Sequence, residues 1–197
     1  MAIVIANMSM SLDGFIADPD DGVDLLFEWY SAGPVAVDTA NEDIAINVSE
    51  ADAEALSDFG ELGAVVGGRR LFEIAQGWGG KHPTGAPVFI VTHAPPEDWS
   101  HGGITFVTDG VESAVAQAKS VAGDGTVAVA SANVTQQCLD AGLIDVISVD
   151  LIPVLLGAGI PFFANLRSAP VRLSDPEVHR GNRVTHLRYR VLGPAAG

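Results

Sequence analysis

The chain has 197 residues, enough for one domain with a full core, and 48% of them are hydrophobic. Ten basic residues against 25 acidic ones give a formal charge of −15, so the surface repels DNA, RNA and anionic lipid. The single cysteine, Cys138, excludes an internal disulfide, and its place in a helical pattern reads as core packing rather than a catalytic thiol.

Residues 2–8 (AIVIANM) form a short apolar, β-branched run that reads as a strand. A loop follows through Ser11-Leu12-Asp13-Gly14-Phe15-Ile16-Ala17. The N-terminus lacks a basic region, and no apolar run approaches the ~20 residues that span a bilayer. These features give the expectation of a soluble, cytoplasmic protein without membrane or nucleic-acid partners. The patch Leu25-Leu26-Phe27-Glu28-Trp29-Tyr30 reads as a short helix over the core. Ser49 and Asp52 have the spacing of a helix cap, with Leu56 and Phe59 as the apolar stripe behind it.

Next comes Ala64-Val65-Val66-Gly67-Gly68-Arg69-Arg70-Leu71-Phe72-Glu73, an apolar strand entering glycines, two cations and an amphipathic start. No Lys or Arg precedes Arg69, while residues 1–60 carry thirteen Asp and Glu. Glycines admit a ligand to the backbone and a helix start favours anions, so the stretch fits a phosphate site. It fits equally an exposed turn with two solvated arginines.

Residues 87–92 (PVFIVT) and 104–107 read as strands, and Asp109 with Glu112 as a capping box for the helix behind them. Residues 126–130 are the next strand, and 133–141 a helix stopped by Gly142. Residues 146–155 are a further apolar run. Gly157-Ala158-Gly159 is a turn, not a dinucleotide fingerprint, because Pro161 follows it. The chain closes on an antiparallel hairpin, 171–179 and 184–191 about a Gly181-Asn182 turn, with 193–197 as a loose tail.

Strand-helix alternation predicts an α/β fold with a mainly parallel sheet covered on both faces, as a single domain over 1–192. Ligands of such sheets sit beyond the carboxyl ends of the strands. Here those ends carry Gly67 to Arg70, Thr92 to Pro95, and Ala130 to Asn133. Histidines at 82, 93, 101, 179 and 186 lack ligand spacing, so no metal site is expected. No nucleophile elbow, Walker A run or paired-carboxylate motif is present.

Residues 10–17, 66–73, 87–93, 127–145 and 153–163 together resemble, in family order, the dihydrofolate reductase-like superfamily. They are most similar to the branch named for the C-terminal reductase domain of bacterial riboflavin biosynthesis. That resemblance implies a three-layer dihydrofolate reductase-like fold, a homodimer, and an NADPH-dependent reductase acting on a small heterocycle (pterin, folate-like or pyrimidine) or a carbonyl compound. By position, Leu12, Ile16 and Ala17 border the nicotinamide, and Gly68, Arg69, Arg70 and Leu71 hold the pyrophosphate and the adenosine 2′-phosphate. Thr92 and His93 flank the same phosphate, and Ala130, Ser131, Ala132, Asn133 and Val134 meet the pyrophosphate. An Arg fork suits phosphate and separates NADPH from NADH.

The chain departs from the resemblance where the family commonly carries Gly-Gly and this sequence has Ala130-Ser131. A second reading is therefore a non-catalytic ligand-binding protein that kept the fold. Asp13 is the one candidate proton donor, against its reading as the cap of the Asp13-Gly14 turn. Asn7, Trp29 and Trp78 are candidate substrate contacts, the tryptophans reading equally as core. Glu28 falls in about the stretch where dihydrofolate reductases carry a pterin-protonating carboxylate, with too poor a match to carry that role over. The lack of basic residues in 1–60 disfavours a phosphorylated substrate such as the ribityl-phosphate intermediate of riboflavin synthesis.

Overall fold

The computed structural model describes residues 2–57 and 60–194. In chain order they form β1 (Ile3–Ser11), α1 (Asp24–Phe27) continued by a 3-10 turn (Glu28–Ser31), β2 (Val35–Val37), β3 (Ile46–Val48), α2 (Glu50–Ser57), β4 (Leu62–Gly68) and α3 (Arg69–Ile74). A tight turn (Gln76–Gly80), β5 (Val88–Val91), β6 (Ile104–Val107), α4 (Val111–Ala122), β7 (Thr126–Ala130) and α5 (Ala132–Asp140) follow. The chain ends with β8 (Val146–Ile152), β9 (Val171–Leu173), β10 (Glu177–Arg180) and β11 (Thr185–Pro194).

The central sheet runs β10-β11-β8-β1-β7-β4-β5-β6, with β9 also on β11. Strands β8, β1, β7, β4, β5 and β6 are mutually parallel, and β11 turns antiparallel against β8. Alternation along each strand assigns its two faces. Ala64 and Val66 of β4 pack with Val115 of α4 and Val134 and Cys138 of α5, while Val65 packs on the opposite face with Phe72 of α3. The result is a three-layer α/β fold. No helix among the described residues is long and apolar enough to cross a membrane.

Local differences from the sequence reading have physical causes. β1 runs to Ser11 rather than Met8, because β8 pairs with it from Ile5 to Ser11 and buries Ser9 and Ser11 on a polar row. The hairpin of β2 and β3 is too short to leave a period. The cap of α4 is Gly110, with φ 104° and no side-chain bond, so Asp109 and Glu112 make no capping box. The predicted strand 171–179 splits into β9 and β10 at Pro176, which has no N–H for a ladder. β11 continues through Gly193 and Pro194 against β9, so these two residues are not a loose tail. Residues 195–197 and Phe59 lie outside the described residues.

The Ser49–Asp52 cap is present and extends much further. Ser49 Oγ accepts the Asp52 N–H at 3.2 Å, and the Asp52 carboxylate accepts the Ser49 N–H at 3.3 Å. The same carboxylate takes His186 Nε2 at 3.0 Å, while Asp150 takes His186 Nδ1 at 2.7 Å. Ser9, Asp150 and His186 are register partners across β1, β8 and β11, and all three are buried. Trp29 donates its indole N–H to Ser9 Oγ at 3.1 Å and packs edge-on to His186. Burial opposes charge on both Asp52 and His186, yet the bonds win: the Asp52 pKa is lowered and that of His186 raised. Because both ring nitrogens face carboxylates, the ring is a doubly donating imidazolium. It fastens α2 to the C-terminal strands.

Candidate functional site

The carboxyl ends of β4, β5 and β7 open into one cleft of about 900 Å³. The β4–α3 junction contributes Gly68, Arg69, Arg70 and Leu71, and the end of β5 contributes Thr92, His93 and Ala94. The start of α5 contributes Ser131, Ala132, Asn133 and Val134. Ile16 and Ala17 from the loop after β1 line it too, with Trp78. Among the expected site residues, Leu12, Asp13, Ala130, Asn7 and Trp29 do not line this cleft.

Each of those five has an identifiable place elsewhere. Asp13 accepts the Ser11 hydroxyl at 2.6 Å, the Gly157 N–H at 2.7 Å and the Leu156 N–H at 3.2 Å. The Ser11 bond, ahead of burial and the two amides, sets a pKa below the ordinary carboxylate range. A carboxylate so engaged fastens the loop after β1 to the Leu156–Gly157 turn, the place that the cap reading gives Asp13. Asn7 reaches Asp150 at 3.4 Å, and Trp29 is 1% exposed within the α1–α2 core. Leu12 is 62% exposed, and Ala130 ends β7 behind the rim. Glu28 pairs with Arg183 at 2.8 Å.

Both guanidinium groups at the rim are anchored. Arg69 donates to Glu73 at 2.7 Å and to the Ala94 carbonyl at 2.6 Å, bridging α3 to the turn after β5. Arg70 donates to Asp21 at 2.5 Å, which ties α3 to the 18–22 turn, and this hydrogen bond with the carboxylate's charge raises the Arg70 pKa. These pairs are solvent-exposed and worth at most about 1 kcal/mol each, so a dianion can displace the acids. α3 is only six residues long, so its contribution is its side chains rather than a dipole.

The nine-residue α5 supplies the amides. The N–H groups of its first turn have no acceptor within the helix and point to the rim. Its N-cap, Ser131, has φ 130°, a conformation that favours glycine and costs a serine about 1–3 kcal/mol. Ser131 Oγ accepts the Gly68 N–H at 3.1 Å, joining the β7–α5 and β4–α3 junctions and leaving the hydroxyl hydrogen free. A Cβ on Gly68 would meet Val134 Cγ2 at 3.2 Å and Ser131 Oγ at 3.3 Å, so any larger residue there would have to push the β7–α5 junction aside by a few tenths of an ångström.

Sequence reasoning missed Asp21, because nothing local pairs it with a residue 49 positions away. It missed Phe27 and Ile74 as cleft walls for want of a motif. Among the described residues no group of three or more His, Cys, Asp or Glu is placed to hold a metal ion.

The model of the family described as the RibD C-terminal domain matches residues 2–187. The chain is 25% identical over 163 residues to the uncharacterized protein YwjB of Bacillus subtilis (strain 168), covering 82% of this chain and 83% of that one. A candidate riboflavin biosynthesis protein from Shewanella sp. PV-4 superposes with a TM-score of 0.68 at 23% identity, over 97% of this chain and 99% of that one. Dihydrofolate reductase from Enterococcus faecalis, complexed with NADP(H) and RAB-propyl, superposes with a TM-score of 0.58 at 16% identity, over 96% of each chain. Both likenesses are of fold, the dihydrofolate reductase-like one.

Proposed function

The chain belongs to the RibD C-terminal domain family, and we propose that it is an NADPH-dependent reductase of a small heterocyclic or carbonyl compound, working as a single domain. The observation that carries this reading is the meeting, in one cleft, of Arg69 and Arg70, the Thr92–Ala94 turn and the first turn of α5. Such a rim supplies cations at one side and bare amides at the other, which matches a dinucleotide with one phosphate on its adenosine and two between its halves. When bound, the cofactor supplies the hydride.

The residues of the chain do the rest. Arg69, held toward Thr92 and His93 by the Ala94 carbonyl, grips the 2′-phosphate together with Arg70. Ala132, Asn133 and Val134 offer N–H groups to the pyrophosphate, and the free hydrogen of Ser131 adds a donor. Gly68 lets the backbone close in. Ile16 and Ala17 provide an apolar border for the nicotinamide and keep water from the transferred hydride. Among the described residues Asp21 is the only carboxylate lining the cleft and it is engaged by Arg70, so the proton that completes the reduction comes from solvent.

One observation favours the second reading, a protein that binds nucleotide without turnover. Ser131 takes the Gly68 N–H for itself, and its side chain stands where the family commonly has glycine. Titrating NADPH by nicotinamide fluorescence, and then following its oxidation at 340 nm with pterin, pyrimidine and quinone acceptors, separates the two. Binding with oxidation supports the reductase, binding without oxidation on any acceptor supports the alternative, and no binding refutes the reductase and leaves the alternative only with a ligand other than NADPH.

A further inference from the structure

We propose that the wall of the cleft formed by α1 and α3 receives an uncharged planar heteroaromatic ring stacked on Trp78, and that a phosphorylated substrate is rejected there. The proposal deepens the reductase reading for the reaction, while the ring site itself stands without it. Leu71, Ile74 and Ala75 recur at three- and four-residue spacing and turn one apolar face of α3 to the cleft, and Trp78, carried on the turn behind it, lines the same cleft. Val23 and Phe27, at the two ends of α1, line the same cleft. No Lys or Arg sits on this wall, since both arginines lining the cleft belong to the rim. A phosphate placed against it would lose water and gain no partner.

The backbone carrying Trp78 is unusual. Gln76, Gly77, Trp78, Gly79 and Gly80 have φ of 48°, 57°, 50°, 61° and 90°, a left-handed turn that L residues avoid. Trp78 is held in it by buried Asn41, whose side-chain amide donates to the Trp78 carbonyl at 3.0 Å and to the Lys81 carbonyl just past the turn at 2.8 Å. Strain so over-determined collects at functional sites, and here it sets an indole in the cleft wall. His82 lies edge-on to the same indole, its ring centroid 4.7 Å away. Burial lowers the pKa of His82 to about 4, so at neutral pH it adds no positive charge beneath the ring. Ile74, 40% exposed, lines the same cleft as Trp78. An occupant that is flat, apolar and neutral explains both residues together.

Two probes with related tricyclic rings test the assignment: lumichrome, which is uncharged at pH 7, and flavin mononucleotide, which carries a ribityl phosphate. Calorimetric titration of the full chain is expected to show lumichrome at one site and flavin mononucleotide at least tenfold weaker. Trp78→Ala should weaken lumichrome at least tenfold while NADPH affinity stays within threefold. Ile74→Asp, at an exposed position that tolerates a polar group, should do the same and guards against a Trp78 variant that merely collapses the turn. Equal or tighter binding of flavin mononucleotide, no lumichrome binding, or indifference to both substitutions would overturn the proposal. NADPH titrated in the same samples keeps the two claims apart. Trp78-dependent lumichrome binding without NADPH binding retires the reductase and keeps the ring site, and the reverse pattern does the opposite.

Discussion

Replacing His186 by alanine leaves two carboxylates, Asp52 and Asp150, that are 0% and 2% exposed with no cation between them. Removing one member of a buried ionic set costs about 3–5 kcal/mol, because the remaining charge is stranded rather than simply unpaired. For a chain of this size that is a fall in Tm of about 6–20 °C. The pH dependence follows from the sign of the shifts. The pKa of His186 is raised on folding, so its contribution is complete below the unfolded histidine value and is lost as pH rises through the folded value. The pKa of Asp52 is lowered, so its contribution is present above the unfolded aspartate value and is lost as pH falls through the folded one. Thermal unfolding followed by circular dichroism from pH 4 to 9 should therefore show the wild type falling toward the His186→Ala variant only at the alkaline end. A variant less than 1 kcal/mol below wild type at pH 6, or a gap that stays constant across the range, would refute the doubly bonded imidazolium.

Other outcomes follow from single contacts. Asp21→Asn breaks an exposed pair, so stability should change by less than about 1 kcal/mol while NADPH affinity, read by fluorescence titration, rises two- to fivefold. A fall in affinity would show that Asp21 helps rather than competes. Ser131→Gly removes a serine from φ 130° and gives up its bond to Gly68, so urea unfolding should move by no more than about 1 kcal/mol. Ser131→Val, branched at Cβ in the same conformation and without the hydroxyl, should lose at least about 2 kcal/mol. Cys138 is buried, and burial together with Glu112 pushes its thiol pKa up to about 12; it should resist iodoacetamide at pH 8 until the chain is unfolded in urea. Labelling of native protein at the unfolded rate would contradict that burial.

The layers of the fold were legible because strand and helix periods are local. Val65 and Val66 announce opposite faces, and Gly142, with φ 68°, ends α5 as a left-handed cap with Leu143 N–H bonded to the Cys138 carbonyl at 2.9 Å. The rim was legible for the same reason: glycines, cations and a serine sit at strand ends, and a parallel sheet brings such ends together. What escaped depends on distant partners. His186 stood as one of five scattered histidines until β11 placed it beside Asp150 and the end of α2 placed it beside Asp52. The acidic residues of 1–60 carried no local sign of their distant partners, yet Asp21 meets Arg70 and Asp52, read as a cap, is entirely buried against His186. Trp78 stood out in the sequence for its glycine-rich setting, but a left-handed run through Gln76 and Trp78 has no signature in propensity.

The central claim is that the rim holds a nucleotide bearing a 2′-phosphate, and parallel titrations of NADPH and NADH on wild type and on Arg69→Ala/Arg70→Ala measure it directly. The account predicts that wild type binds NADPH at least tenfold tighter than NADH and that the double variant loses this preference with little change in NADH. Equal affinity for the two cofactors in wild type, or a preference for NADPH that survives loss of both arginines, would contradict it.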